Sequence, residues 1–173
     1  MVFRALRTSM TNLDAFFAFL GLCAFAALSG ALFRAGAWYD ALRKPSWQPP
    51  KWLFAPAWSI LYLTIAFSGW LVWRKAGLSA ARFPLAAWGF SLGINALWSP
   101  LFFGLRNPLL GMIDITALWL SIVAVIVLFH PVSPAASLLL LPYLFWVTFA
   151  GMLNLAILRL NPTGGTTSPS PRN

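Results

Sequence analysis

The stretch KPSWQPPKWLFAPAWSILYLTIAFSGWLVW, Lys44 to Trp73, decides the fold. It opens on prolines and lysines, then runs without a charge from Trp52 to Trp73, long enough to cross a bilayer as one helix. It also carries Trp47, Trp52, Trp58, Trp70 and Trp73, from a total of 10 tryptophans in 173 residues. Indole offers a large flat apolar surface and one N–H donor, which suits membrane interfaces and pockets for flat apolar ligands.

The rest of the chain demands the same solvent. It is 60% hydrophobic and 9% charged, with mean hydropathy +0.78, so it cannot cover a globular surface with polar groups and must face lipid. The net charge of +9 comes from basic residues placed between apolar runs, as beside anionic headgroups. No basic stripe follows a single element, which argues against nucleic acid as a partner. Cys23 is alone, forms no intramolecular disulfide, and reads as a small buried hydrophobe.

Charge-free lengths near the ~20 residues of a membrane span set the helices. Ala15–Phe33, Trp52–Trp73 and Phe83–Leu105 each qualify. The run Ile115–Leu158 is too long for one span, and His130-Pro131 with Pro134 supplies the break, which makes two more helices, roughly Pro108–Phe129 and Ala135–Leu158. The expected fold is an all-α integral membrane protein with five transmembrane helices in one domain, 15–160. A short basic extension, 1–14, precedes it, and a Pro/Gly/Ser/Thr tail, 161–173, is expected to be disordered. The first span is not a cleavable signal, because its apolar core is long and Arg34 follows it. Arg4, Arg7, Arg74, Lys75 and Arg82 fall on one side of the membrane. Arg34, Arg43, Lys44, Lys51, Arg106, Arg159 and Arg172 fall on the other, which leans the C-terminus towards the cytoplasm.

Helical spacing groups four stripes. They are Phe54, Trp58 and Tyr62; Asn95, Trp98 and Phe102; Leu110, Asp114 and Ala117; and Trp146, Ala150 and Leu153. If they converge, they wall a pocket for a large planar hydrophobe. Spacing alone fits packing surfaces or interface belts as well. Trp52, Trp70 and Trp73 read as belt residues, Trp88 and Trp119 as packing or lipid contacts, and Trp38 and Trp47 as part of a proline-stiffened lid. Asp114 is the one acid within a span, with a structural role expected for it, protonated or hydrogen-bonded to a neighbouring helix. His130 reads as an interfacial side chain. Gly89 and Gly93, four apart, suggest either a homodimer or a tight crossing within the chain.

Four segments, WYDALRKPSWQPPKW (Trp38–Trp52), APAWSILY (Ala55–Tyr62), NALWSPLFFG (Asn95–Gly104) and PYLFWVTFAGMLN (Pro142–Asn154), resemble the translocator protein/tryptophan-rich sensory protein family (TspO/MBR, formerly the peripheral benzodiazepine receptor) in order and spacing. The resemblance implies a five-helix bundle, usually dimeric, that binds porphyrins such as protoporphyrin IX and haem, sterols, and isoquinoline or benzodiazepine ligands. Carried over by position, the pocket takes Phe54, Ala55 and Trp58, Asn95 and Trp98, Leu110, Ile113 and Ala117, and Trp146, Phe149, Ala150 and Leu153, with Tyr39 closing it. Contacts from the first helix stay unassigned.

The implied function is a membrane receptor or carrier for porphyrins, with no obligatory cofactor. The alternative is light- and oxygen-dependent degradation of protoporphyrin IX, for which the matching tryptophans are Trp58 and Trp146. Animal members end the fifth helix with a sterol-recognition pattern containing Tyr, but Leu155 stands there in LNLAILR (Leu153–Arg159), so poorer sterol affinity is expected. The same departure points to a bacterial cell membrane, with the mitochondrial outer membrane as the eukaryotic alternative.

Overall fold

The computed structural model describes residues 11–162, and among them every regular element is a helix. The expected N-terminal extension up to residue 10 and the tail beyond residue 162 lie outside the described residues. Helix α1 spans Asn12–Leu32, so it starts before the expected Ala15. The cause is a capping box: the Thr11 hydroxyl accepts from the Asp14 N–H at 3.2 Å, and the Asp14 carboxylate accepts from the Thr11 N–H at 3.1 Å. Asp14 is thereby part of the first turn, where the helix dipole favours an anion.

A short helix α2, Ala37–Ala41, and a 3-10 turn, Lys51–Leu53, lead into α3, Phe54–Ala80. Helix α3 continues past the charge-free window because Arg74 lays its guanidinium 4.4 Å from the Trp70 ring centre. Gly77 then kinks it, at φ 73 and ψ 167, a conformation open essentially only to glycine.

Helix α4 spans Arg82–Ser99 and widens into a π turn, Pro100–Gly104, where the Leu105 N–H reaches the Pro100 carbonyl at 2.8 Å. Helix α5 covers Pro108–Phe129, the expected bounds, because Asn107 caps it through the N–H groups of Leu109 and Leu110 with Pro108 in the first turn. The last expected span is broken. A short α6, Pro134–Leu138, precedes α7, Leu141–Leu160, because Pro142 has no N–H to continue the ladder and its ring crowds the carbonyl one turn back.

Helix α1 packs on α3 and α4, α4 on α5, and α5 on α7, while α6 and the start of α7 meet α3 and close the ring. The interior is filled by Cys23, Ile65, Val72, Trp88, Ile122 and Phe129, among others. Around it, Phe25, Phe83, Phe90 and Phe145 stand more than two-thirds exposed, a surface that only lipid can solvate.

Four helical stretches are long and apolar enough to cross a membrane: Asn12–Leu32, Lys51–Ala80, Pro108–Phe129 and Pro134–Leu160. The molecule is therefore an integral, multi-pass membrane protein. Helix α4 does not reach that standard alone, because regular α-helix stops at Ser99 and the stretch includes Arg82, Ser91 and Asn95. Cβ atoms built at Gly89 and Gly93 would meet nothing within 4 Å. That rules out the tight crossing within the chain; close approaches fall at other glycines, among them Gly69, where a Cβ would stand 2.9 Å from Phe19 and 3.0 Å from Trp88.

Candidate functional site

One end of the bundle gathers the C-terminal ends of α1 and α7, the start of α3, the π turn after α4 and the start of α5. The loop after α1 folds over this end. Three polar devices hold it there. Lys51 pairs with Asp40, and Lys44 donates to the carbonyls of Asp40 and Leu42 at 2.9 and 3.1 Å. The Asn161 amide then clips the loop to the end of α7, accepting from the Arg43 N–H at 3.0 Å and donating to the Arg43 carbonyl at 2.9 Å. The Lys51 hydrogen bond holds the Asp40 carboxyl below its ordinary value.

Tyr39 points down from α2 and is buried, 5.4 Å from Phe103 and 6.1 Å from Phe102, with the Lys44 ammonium 4.9 Å above its ring. Burial, with the Asp40 charge adding to it, raises the phenol's pKa. Trp38 lies edge-on to Phe102 at 5.8 Å, and Trp47 edge-on to Phe149 at 5.9 Å. Both expected lid tryptophans thus rest on the aromatic layer below.

That layer has three groups of rings. Trp98 stacks on Phe102 at 4.9 Å and 18°, with Phe103 edge-on at 5.5 Å. Trp146 takes Phe54 edge-on at 5.7 Å and Phe149 at 5.8 Å. Trp58 packs on Tyr62 at 5.5 Å and on Tyr143 at 6.2 Å, and the Tyr62 hydroxyl donates to Asn95 Oδ1 at 2.7 Å. The π turn matters locally, because its extra residue lets adjacent Phe102 and Phe103 both serve the cluster around Tyr39.

Tyr39, Phe54, Trp98 and Leu153 pack in one cluster, Phe54, Trp146 and Phe149 form a second group of rings, and Trp58, Tyr62 and Asn95 a third, with Ala150 half-buried against the core. Helix α5 behaves differently. Its buried stripe runs through Gly111, Asp114, Leu118, Ile122 and Val125, so Asp114 is inside, Leu110 is half-buried, and Ile113 and Ala117 are exposed. Ala55 is exposed as well. Asp114 Oδ2 is buried without a partner, and among the described residues the carboxyl makes none of the expected hydrogen bonds to a neighbouring helix.

Three contributors escaped the reading of the sequence. Tyr143, buried beside Trp58, lies three residues before Trp146 and so on its face. Asn154 donates to the Pro108 carbonyl at 2.9 Å and ties α7 to α5. Gly111 permits that approach: a Cβ there would stand 2.7 Å from Phe102 and 3.1 Å from Asn154 Oδ1.

Three of the belt and packing tryptophans have protein acceptors for their N–H groups: Trp70 on the Asn12 carbonyl, Trp88 on the Ile65 carbonyl and Trp119 on the Thr148 hydroxyl. Trp98 and Trp146 do not. Their Nε1 atoms are buried and have no acceptor among the described residues. A buried donor left unpaired costs about 1–3 kcal/mol, so two of them in one aromatic layer suit a ligand that brings its own acceptors.

Comparison with known proteins adds to this geometry. The TspO/MBR family profile matches residues 18–160. The chain is 44% identical over 155 residues to Protein CrtK of Rhodobacter capsulatus, covering 87% of this chain and 95% of that protein. It is 41% identical over 150 residues to the tryptophan-rich protein TspO of Chlorobaculum tepidum, covering 83% and 93%. It is also 37% identical over 126 residues to the translocator protein of Homo sapiens, covering 72% and 75%.

Proposed function

The chain belongs to the TspO/MBR family, and from that premise we propose that it is a membrane receptor or carrier for porphyrins and similar flat hydrophobic ligands, held in the aromatic layer beneath the loop. The observation that carries this reading is the pair of orphaned indole donors, Trp98 Nε1 and Trp146 Nε1, set among stacked rings. The rings supply area, and the two N–H groups supply orientation. In this closed arrangement the rings of each group lie against one another, so a macrocycle enters between the Trp98–Phe102 pair and the Trp146–Phe54 pair as the loop lifts. Helix α4 with its π turn, Arg82 to Leu105, serves as a fifth crossing in this reading. The exposed Gly89/Gly93 face offers a second copy a close approach, which supports a homodimer.

Titration of protoporphyrin IX against intrinsic tryptophan fluorescence tests the site. Saturable quenching is expected, with Kd raised about tenfold in Trp98→Phe or Trp146→Phe, each of which removes one donor and keeps an aromatic ring. Unsaturable quenching, or identical curves in both variants, refutes the pocket. Illumination of the complex tests the degradation alternative: pigment loss no faster than in Trp58→Phe/Trp146→Phe removes it. For the dimer, Gly89→Leu/Gly93→Leu is expected to shift the protein to monomer in micelles, and an unchanged mass distribution counts against this interface.

A further inference from the structure

At the edge of the aromatic layer, the loop end holds an open cleft of about 410 Å³ lined by Arg34, Gly36, Ala37, Trp38, Phe103 and Arg106. Two arginines line it from distant points in the chain, one just past α1 and one in the linker before α5. Arg34 Nε donates to the Ala31 carbonyl at 2.8 Å, which fixes the side chain at the helix end and leaves both Nη groups to other partners. Among the described residues neither arginine is ion-paired. Their like charges repel, and a shared oxyanion relieves that repulsion while matching the planar forks of both.

The backbone gives an independent indication. Arg106, at φ 52, is the one non-glycine among the described residues in the left-handed region. Glycine would adopt this conformation without strain, so an arginine held there points to use of its side chain. The surroundings indicate the kind of molecule. Phe25, Leu28 and Leu32, 76%, 53% and 77% exposed, form an apolar track on one face of α1 that ends at Arg34. Leu105 and Leu109, 64% and 50% exposed, flank Arg106. Charge at the head and apolar tracks beside it match an amphiphile with an anionic head.

We infer that the Arg34–Arg106 cleft binds a phosphate oxyanion, supplied by the head group of an anionic phospholipid whose acyl chains follow α1 and the start of α5. The site borders the aromatic layer through Trp38 and Phe103, while its two guanidiniums belong to none of the ring groups.

The full chain, reconstituted in phosphatidylcholine vesicles, is unfolded thermally with increasing phosphatidylglycerol or, separately, with inorganic phosphate. Phosphatidylglycerol is expected to raise the midpoint of wild type and of Arg82→Gln, which lies at the opposite end of the bundle. The fraction needed for half the effect should rise about tenfold in Arg34→Gln and in Arg106→Gly, with no response in the double variant. Arg106→Gly relieves the backbone, so its midpoint in phosphatidylcholine alone should not fall, which separates lost binding from lost folding. A shift produced by inorganic phosphate alone and abolished in the double variant keeps the oxyanion site and assigns it to soluble phosphate. A double variant that responds to phosphatidylglycerol like wild type, or a wild type that responds to neither, overturns the inference.

Discussion

Gly111→Ala should loosen the aromatic layer from a buried position behind Phe102. An ideal Cβ at Gly111 would stand 2.7 Å from Phe102 Cδ2, 3.2 Å from Phe102 Cβ and 3.1 Å from Asn154 Oδ1. Carbon atoms pack best near 3.5–4.0 Å, so the ring must retreat by roughly 1 Å. It has nowhere free to go. Phe102 is 1% exposed, stacked on Trp98 at 4.9 Å and edge-on to Phe103 at 4.9 Å, and its own Cβ cannot rotate away. Overpacking of this kind costs about 1–3 kcal/mol, and the displaced ring pushes Trp98 out of register for ligand. Gly21→Ala is the control, because a Cβ there meets nothing within 4 Å. Unfolding in mixed micelles, followed by tryptophan fluorescence, should show the loss at residue 111 and none at residue 21. Phe102→Leu should recover part of it, with a coupling of about 0.5–3 kcal/mol in the double-mutant cycle. Equal stability of the two alanine variants, or zero coupling to Phe102, refutes the packing argument.

Tyr62→Phe removes the only hydroxyl that donates to buried Asn95 Oδ1 among the described residues and should cost about 1–3 kcal/mol in the same unfolding assay. A neutral result there would mean that Asn95 has another donor. Gly77→Ala should cost about 1–3 kcal/mol although the space around it is open, because φ 73 with ψ 167 is closed to alanine; an unchanged midpoint contradicts the kink. The Asp40–Lys51 pair gives the loop a pH dependence. Asp40 has a depressed pKa in the folded loop, so its contribution is present above the ordinary 3.8 and is lost as pH falls through the depressed value. Hydrogen exchange at the N–H groups of Tyr39–Leu42 should accelerate in that acid window, and Asp40→Asn should show the faster rate already at neutral pH; identical exchange in the two proteins argues against the pair as a latch.

Much of the fold was legible because lipid imposes a simple rule. A stretch without charge and near ~20 residues long has to be helical in a membrane, since every backbone group must be satisfied within the segment. Helix α5 could be bounded to the residue from its composition and from Asn107-Pro108. The misplaced ends have local causes that composition does not weigh. Asp14 counted as a charge to exclude, but it is the capping partner of Thr11. Arg74 counted as a stop, but its guanidinium sits on the Trp70 ring inside α3. Pro142 was read only within a motif, and it splits the last stretch in two.

For the site, helical period was enough to group the aromatic side chains by face, and Trp58, Trp98 and Trp146 each lie in a ring contact of their own. Period does not give a helix's rotation in the bundle. That is why Ile113 and Ala117 fall on an exposed side while Asp114, on the same helix, turns inward.

The sequence by itself determined the solvent, the helical class, the family and which residues carry the aromatic surface, because these follow from composition and spacing along the chain. Only the tertiary structure decided which indole N–H groups find an acceptor and which two are buried in the layer without one among the described residues, because an acceptor is supplied by a neighbouring helix. It also decided that the Gly89/Gly93 face points outward, that Gly111 is where three elements close up, and that Arg34 and Arg106 share one cleft. Each depends on how rigid helices rotate and approach, a distance across the bundle that no interval along the chain encodes.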